Sequence, residues 1–398
     1  MPNLFTRRHF FARSALIGCS AAASPLLTPV SFAAAPWDTR LVVIILRGAM
    51  DGIDVVRPYG APEYATLRPG EAGGGPDLDG FFGLHPELSD LMPLWNAGEL
   101  GFYHAVSTPY RDKRSHFDGQ DILEAGTPGL DGARDGWLNR LLTKLPGVEA
   151  RTAYAIGRGD MKLLAGSAPV ADWSPDADLV LSPQALRLAE RVMEDDPAFH
   201  AAFSEALMLS GDSALAPLPD EETMGMGAPV DSNKAHAVIA EYAAEQLRGD
   251  ARIAAFSING WDTHNRQSRA IVPALRRLSE TLLLLRSGLG NSIWSNTAVI
   301  AMTEFGRTVA INGTGGTDHG TGGAMVLAGG AVQGGKVHGD WPGLAESDLY
   351  QRRDLMPTRD VRAPAAWIMH GLTGIDRAAL EQVVFPGLDM GDDPRVTR

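Results

Sequence analysis

Five short groups in this sequence bring together side chains that could do chemistry. They are Asp51 in RGAMDGID, Ser115 and His116 in RSHFDG, Asp262 and His264 in GWDTHN, Glu304 and Arg307 in TEFGRT, and Asp318 and His319 in TDHGT. Ser115, His116 and Arg307 are read as catalytic; Asp51, Asp262, His264, Glu304, Asp318 and His319, carboxylates and imidazoles without thiols, suit Zn²⁺ first and also Mn²⁺, Mg²⁺ or Ca²⁺. Two such ions about 4 Å apart would steady the attacking and leaving oxygens of an in-line displacement. Without a cation, several carboxylates crowded at one place would repel and some would stay protonated. Asp262 and His264, two apart in an extended segment, project to one side and can grip one metal. The same D-x-H also suits the cap of a following helix. Ser115 with Asp118 three residues later is a helix-start pattern. Its hydroxyl either caps the helix or, beside free backbone N–H groups, serves as a nucleophile toward an anionic centre. Arg111, Lys113 and Arg114 would then form an anion-attracting rim. Asp51 suits a metal ligand or a turn and cap aspartate.

The elements that must position these groups are read from hydropathy. Residues 40–46 (RLVVIIL), 298–302 and 324–328 are unbroken apolar runs bounded by polar or Gly-rich turns, the pattern of strands buried on both faces of a parallel sheet. Further strands are expected at 100–106, 152–157 and 251–258. Helices are expected at 85–95, from Ser115 to 124, at 183–210, 232–247, 267–287 and 358–371. Residues 211–230 form a Pro/Met/Gly linker, 167–181 a surface excursion, and 336–341 a surface hairpin or sheet edge. This alternation specifies an α/β fold, a doubly wound, mostly parallel sheet with helices on both faces. Asp51, Asp262 with His264, and Glu304 with Arg307 then fall just past a strand's carboxyl end, where open α/β sheets bind ligands. His200, His236, His338 and His370 read as structural, whereas His85 and His104 stay open.

With 398 residues, 44% of them hydrophobic and 21% charged, the chain has the composition of a globular protein with a sizeable core. Residues 1–35 are read as a segment apart from that fold. Thr6-Arg7-Arg8-His9-Phe10-Phe11 opens an acid-free, small-residue stretch of the twin-arginine export type, with cleavage expected near Ala33. The expected destination is therefore periplasmic or secreted. The single cysteine, Cys19, lies in this stretch, so the mature chain has neither disulfides nor thiolate metal sites. Leu16-Ile17-Gly18-Cys19 also fits a lipoprotein box, and a membrane becomes a partner only if Cys19 is lipidated. Loss of the segment's three arginines leaves 32 basic against 48 acidic residues, a net of −16. That balance argues against nucleic acid as a partner.

Taken in order, the export stretch, RGAMDGID, SHFDGQDILEAG, GWLNR (residues 136–140), WDTH, TEFGR and DHG resemble the domain-of-unknown-function 1501 family over nearly the whole mature chain. That family is similar to the alkaline phosphatase and sulfatase superfamily, which implies the doubly wound fold with a one- or two-metal hydrolytic site. The resemblance implies Asp51 as the ligand after the first strand, Ser115 at the nucleophile's place, and Asp262 with His264 on one metal. In that superfamily a strand usually ends in an adjacent Asp-His pair; here it ends in Thr303-Glu304-Phe305-Gly306-Arg307. Either Glu304 replaces the pair and His319 is a later ligand, or Asp318-His319 is the pair itself. The first fits better, because an apolar run directly precedes Glu304. Arg307 would hold the substrate anion and Arg47 would assist. The expectation is a metal-dependent hydrolase of small phosphate or sulfate esters, or of a sulfated or phosphorylated glycan. The rival is a non-catalytic metal- or glycan-binding protein on the same fold.

Overall fold

The computed structural model describes residues 37–70, 74–111, 113–157, 161–174 and 234–398. The expected export segment with Cys19, the 183–210 helix and the 211–230 linker lie outside the described residues. Nine strands form one sheet: β1 (Arg40–Arg47), β2 (Leu100–Ser107), β3 (Ala153–Ile156), β4 (Ala171–Trp173), β5 (Ile253–Asn259), β6 (Thr297–Met302), β7 (Gly323–Ala328), β8 (Val337–His338) and β9 (Arg359–Asp360). Their order is β8-β2-β7-β6-β1-β5-β3-β4, and β9 pairs the end of β2.

The central strand shows why the sheet is covered twice. RLVVIILR does not alternate, and its two faces feed different cores. Val42, Ile44 and Leu46 enter one and Leu41, Val43 and Ile45 the other. Helices α1 (His116–Ala125), α2 (Trp137–Leu142), α3 (Ala235–Arg248), α4 (Val272–Trp294) and α5 (Arg362–Thr373) supply most of the cover. Ala243 and Leu247 of α3 and Leu278 and Leu282 of α4 close the first core. Leu138 and Leu141 of α2 and Ile368 and Met369 of α5 close the second. The fold is thus the doubly wound, mostly parallel α/β sheet that the hydropathy pattern specifies.

One strand departs from the parallel expectation. Residues 324–328 lie in a strand, but β7 runs antiparallel to both β6 and β2. The reason is the connection. The chain leaves β6 at Met302, stays at that edge of the sheet through Thr321, and re-enters in the opposite direction. Asp318 and His319 are thereby kept at the edge where β1, β2, β5 and β6 end.

The expected 267–287 helix is divided: a short turn, Gln267–Ala270, precedes α4, which has proline in its first turn and reaches Trp294 across a kink at Gly290, where φ is 65°. Gly126 ends α1 at φ 65°, with a Cβ there lying 2.7–2.8 Å from Phe385 and Trp137, so only glycine fits. Among the described residues no helix is long and apolar enough to cross a membrane.

Candidate metal centre

Four loops meet at this edge. After β5, exposure alternates, with Asp262 and His264 outward and Thr263 buried, as an extended segment requires. His116 is the first residue of α1, and His319 arrives on the loop that feeds β7.

Ligand atoms of His116, Asp262 and His319 lie within 4.8 Å of one another. His264 joins them, its Nε2 being 2.9 Å from His319 Nε2 and 3.0 Å from Asp262 Oδ1. Asp262 Oδ1 is 3.6 Å from His319 Nε2, and Asp262 Oδ2 is 3.6 Å from His116 Nε2. Donors 2.0–2.1 Å from a tetrahedral zinc are about 3.3–3.4 Å apart. The observed separations of 2.9–3.6 Å bracket that value.

The second nitrogen of each imidazole has its own acceptor. His116 Nδ1 is 2.7 Å from Glu304 Oε1, His319 Nδ1 is 2.8 Å from the Arg114 carbonyl, and His264 Nδ1 is 3.4 Å from Asp318 Oδ1. Assigned from these partners, each Nδ1 carries the proton and each Nε2 a lone pair. Two imidazole lone pairs 2.9 Å apart, with a carboxylate beside them, repel unless a proton or cation lies between. His116 Nε2 is buried and has no hydrogen-bond partner among the described residues. The donor set therefore fits a divalent ion with nitrogen and oxygen ligands.

Around this set lies a layer that fixes it. Glu304, 0% exposed, also accepts from the Gly48 amide at 3.0 Å and from Gln120 Nε2 at 3.2 Å. Gln120 lies four residues after His116, so both face Glu304 from one side of α1. Asn312 donates to Asp318 at 3.0 Å. Beneath the cluster, Gln267 Oε1 accepts from Thr263 at 2.6 Å and from Thr317 at 2.9 Å. One buried amide thus ties together the loops that carry Asp262, His264, Asp318 and His319.

The charges follow these contacts. The Glu304 hydrogen bond raises the His116 pKa above the usual histidine value, although burial opposes it. Burial lowers that of His319, helped by the nearby His116, Arg307 and His264. Burial pushes Asp262 up, but the Arg307 hydrogen bond and charge outweigh it and the carboxyl ends below its ordinary range. Burial likewise opposes, without preventing, the lowering of Glu304 by His116, Gln120 and backbone N–H groups. The Asn312 hydrogen bond leads the lowering at Asp318.

Other sequence candidates stand elsewhere. Asp51 is 1% exposed, paired with Arg68 at 2.8 Å and with Gln267 Nε2 at 2.6 Å. Burial raises its pKa despite Arg68, and Asp54 adds to the rise. Arg307 donates to the carbonyls of Gly48, Ala49, Trp261 and Thr317 and to Asp262, so its guanidinium braces the strand ends. Ser115 is the N-cap of α1, its Oγ accepting from the Asp118 amide at 3.4 Å. Arg47 is held by Ser257, Gln120 and Glu124. Arg111 folds onto Ser107 and the carbonyls of Thr108 and Tyr110. His104 is buried against the Val56 carbonyl and the Ala105 amide, its pKa pushed down to about 4 by burial. His85 caps the helical turn at Pro86–Leu91. Sequence reasoning passed over Gln267, Gln120 and Asn312; only Gln120, at helical spacing from His116, carried a local signal.

Residues 125–365 match the model of a family described as "Protein of unknown function (DUF1501)". Among curated proteins, none matches the sequence significantly. The crystal structure of Ps i-CgsB in complex with k-i-k-neocarrahexaose is similar at 12% identity and TM-score 0.40, over 86% of this chain and 73% of that one. The lipoteichoic acid synthase LtaP from Listeria monocytogenes is similar at 10% identity and TM-score 0.42, over 93% and 79%. A mutant TAB5 alkaline phosphatase with Mg bound in its M3 site gives 11% identity and TM-score 0.34, over 74% and 91%. Likenesses at this level assign neither residues nor chemistry to this chain.

Proposed function

We propose that this chain, which belongs to the DUF1501 family, is an exported metal-dependent hydrolase of phosphate or sulfate esters. One observation carries the reading. Three imidazole Nε2 atoms and the Asp262 carboxylate converge, and each imidazole's Nδ1 faces an acceptor of its own. In this reading His116, Asp262, His264 and His319 hold the ion. Glu304 and Asp318 orient imidazoles from behind, and Asp51 belongs to a separate buried ion pair.

A divalent ion held there acts as a Lewis acid on an ester oxygen. The protein's part is to keep four ligand atoms aimed at one point. Glu304 and the Arg114 carbonyl fix two ring orientations, Arg307 restrains Asp262, and Ser115 caps the helix that begins at His116. Zinc suits the nitrogen-rich set best. Export rests on Arg7-Arg8 and the apolar stretch behind them, and the N-terminal residue of the mature protein reads it directly.

The test is elemental analysis of the purified protein beside the double variant Asp262→Ala/His264→Ala, followed by a panel of phosphate and sulfate esters. Near-stoichiometric metal that the variant loses, with ester turnover in the wild type, is the expected result. A wild type that contains no metal and binds no added Zn²⁺, Mn²⁺ or Ca²⁺ overturns it. One observation favours a second reading, a non-catalytic metal- or glycan-binding protein: the expected charge stabiliser, Arg307, spends its donors inside the fold. Bound metal without turnover on any ester class selects that reading.

A further inference from the structure

Arg114, at the head of RSHFDG, and Arg353, outside the central motifs, both contact His319. Arg114 offers its carbonyl to His319 Nδ1, and Arg353 Nη2 donates to the His319 carbonyl. Behind them sits Asp354, 0% exposed. Its Oδ1 accepts from Arg353 Nε at 2.7 Å. Its Oδ2 accepts from Thr321 at 2.9 Å and lies 3.7 Å from Arg114 Nη2. A single buried carboxylate therefore anchors the inner sides of two guanidiniums, and the Arg353 charge also reaches Asp318. Their outer sides remain open, with the Arg114 side chain 33% and the Arg353 side chain 36% exposed.

This arrangement differs from the other arginines near the edge. Arg307 is fully enclosed, and Arg111 is folded onto its own loop. Arg114 makes no side-chain hydrogen bond among the described residues, and its 3.7 Å contact with Asp354 restrains it without consuming its donors. The planar fork of a guanidinium matches two oxygens of a tetrahedral oxyanion, and two forks held by one acid are organised before a ligand arrives. Arg114 reaches the His319 ring through its backbone carbonyl and Arg353 holds the His319 carbonyl, so the two guanidiniums flank the loop that carries this candidate ligand.

We infer that Arg114 and Arg353, set by Asp354, form the oxyanion subsite that receives the phosphate or sulfate group of the substrate. The ligand class rests on the hydrolase reading; the subsite itself rests on the two guanidiniums and their buried anchor.

The experiment is calorimetric titration of inorganic phosphate and of sulfate into the full protein, metal-stripped and metal-loaded. Wild type is compared with Arg114→Ala, Arg353→Lys and the double variant Arg114→Ala/Arg353→Ala, with metal content measured for each. Anion affinity should fall at least about tenfold in the double variant, in both metal states, and severalfold in Arg114→Ala, which keeps the Arg353 contacts to His319 and Asp354 and the wild-type metal content. Arg353→Lys, which keeps the charge but loses the fork, should fall in between. Arg114→Ala leaves the Arg353–Asp354 pair intact and guards against a folding defect. Unchanged anion affinity in the double variant overturns the inference. So does a wild type that binds neither anion in either state. Failure of the hydrolase reading shows separately, as a protein without metal or as bound metal without ester turnover.

Discussion

Asp51 and Asp262 invite comparison because the fold gives them nearly the same starting point. Each follows a central strand, and those strands pair in register to their last residues, Arg47 opposite Asn259. Their surroundings then diverge. Asp51 enters a closed set of two acids and two arginines. Arg68 and Gln267 hold its Oδ2, Gln267 also reaches Asp54, and Asp54 pairs with Arg57 at 2.8 Å. Asp262 stands with its side chain 47% exposed among three imidazoles, and a single guanidinium, from Arg307, reaches it. In one region two guanidiniums offset two carboxylates inside the chain, although Asp51 Oδ1 has no hydrogen-bond partner among the described residues; in the other, imidazole and carboxylate acceptors are in surplus. A carboxylate at a sheet edge becomes a site where the fold leaves that surplus, and Gln267 joins the two regions by bonding to both.

Arg68→Ala should produce the largest effect and separate the regions most sharply. Removing one partner of a buried pair leaves an uncompensated charge and costs roughly 3–5 kcal/mol. Urea unfolding should show that loss, while the folded fraction still binds metal one-to-one. Asp262→Ala/His264→Ala should give the opposite signature, with metal lost and a smaller loss of stability in the metal-free form, because buried Arg307 keeps four carbonyl acceptors when Asp262 is removed. If Arg68→Ala also removes the metal, the two regions are one site and the contrast fails.

Glu304→Gln sharpens the same contrast on a smaller scale. Glu304 is as buried as Asp51 but faces the cluster, through His116 Nδ1 at 2.7 Å. Replacing an outer partner of a ligating histidine typically weakens metal affinity about 10–100-fold. Competition with a chromophoric chelator should find that range for Glu304→Gln. An unchanged affinity would move Glu304 into the company of Asp51.

What could be read from the sequence follows the distance over which each feature is determined. The central strands were legible because burial on both faces imposes unbroken apolar runs such as RLVVIIL, a local property. The positions of the chemical groups followed, since each run is succeeded at once by polar residues. The direction of β7 was not legible, for it depends on the 303–322 connection staying at one edge. Nor was the fate of Asp51 or Arg307, because their partners, Arg68, Gln267 and the carbonyls of three loops, are assembled only by the fold. The pairing of His116 with Glu304 spans 188 positions of sequence and has no local mark.

Ser115→Ala carries the smallest expected effect and decides how the cluster is used. Ser115 Oγ accepts from the Asp118 amide at 3.4 Å, and the Ser115 amide donates to Tyr110 Oη at 2.9 Å, so the residue fixes the first turn of α1. Losing a cap costs about 1 kcal/mol, and a bond this long belongs toward the lower end of the range. Because His116 is the next residue, loosening that turn should weaken metal binding only a fewfold, and Ser115→Thr, which keeps a hydroxyl acceptor, should restore it. Turnover per bound metal should then be unchanged in Ser115→Ala. If the variant holds its metal and its stability but cleaves nothing that the wild type cleaves, the hydroxyl is the attacking group. The first turn of α1 would then supply both the nucleophile and, one residue later, a ligand.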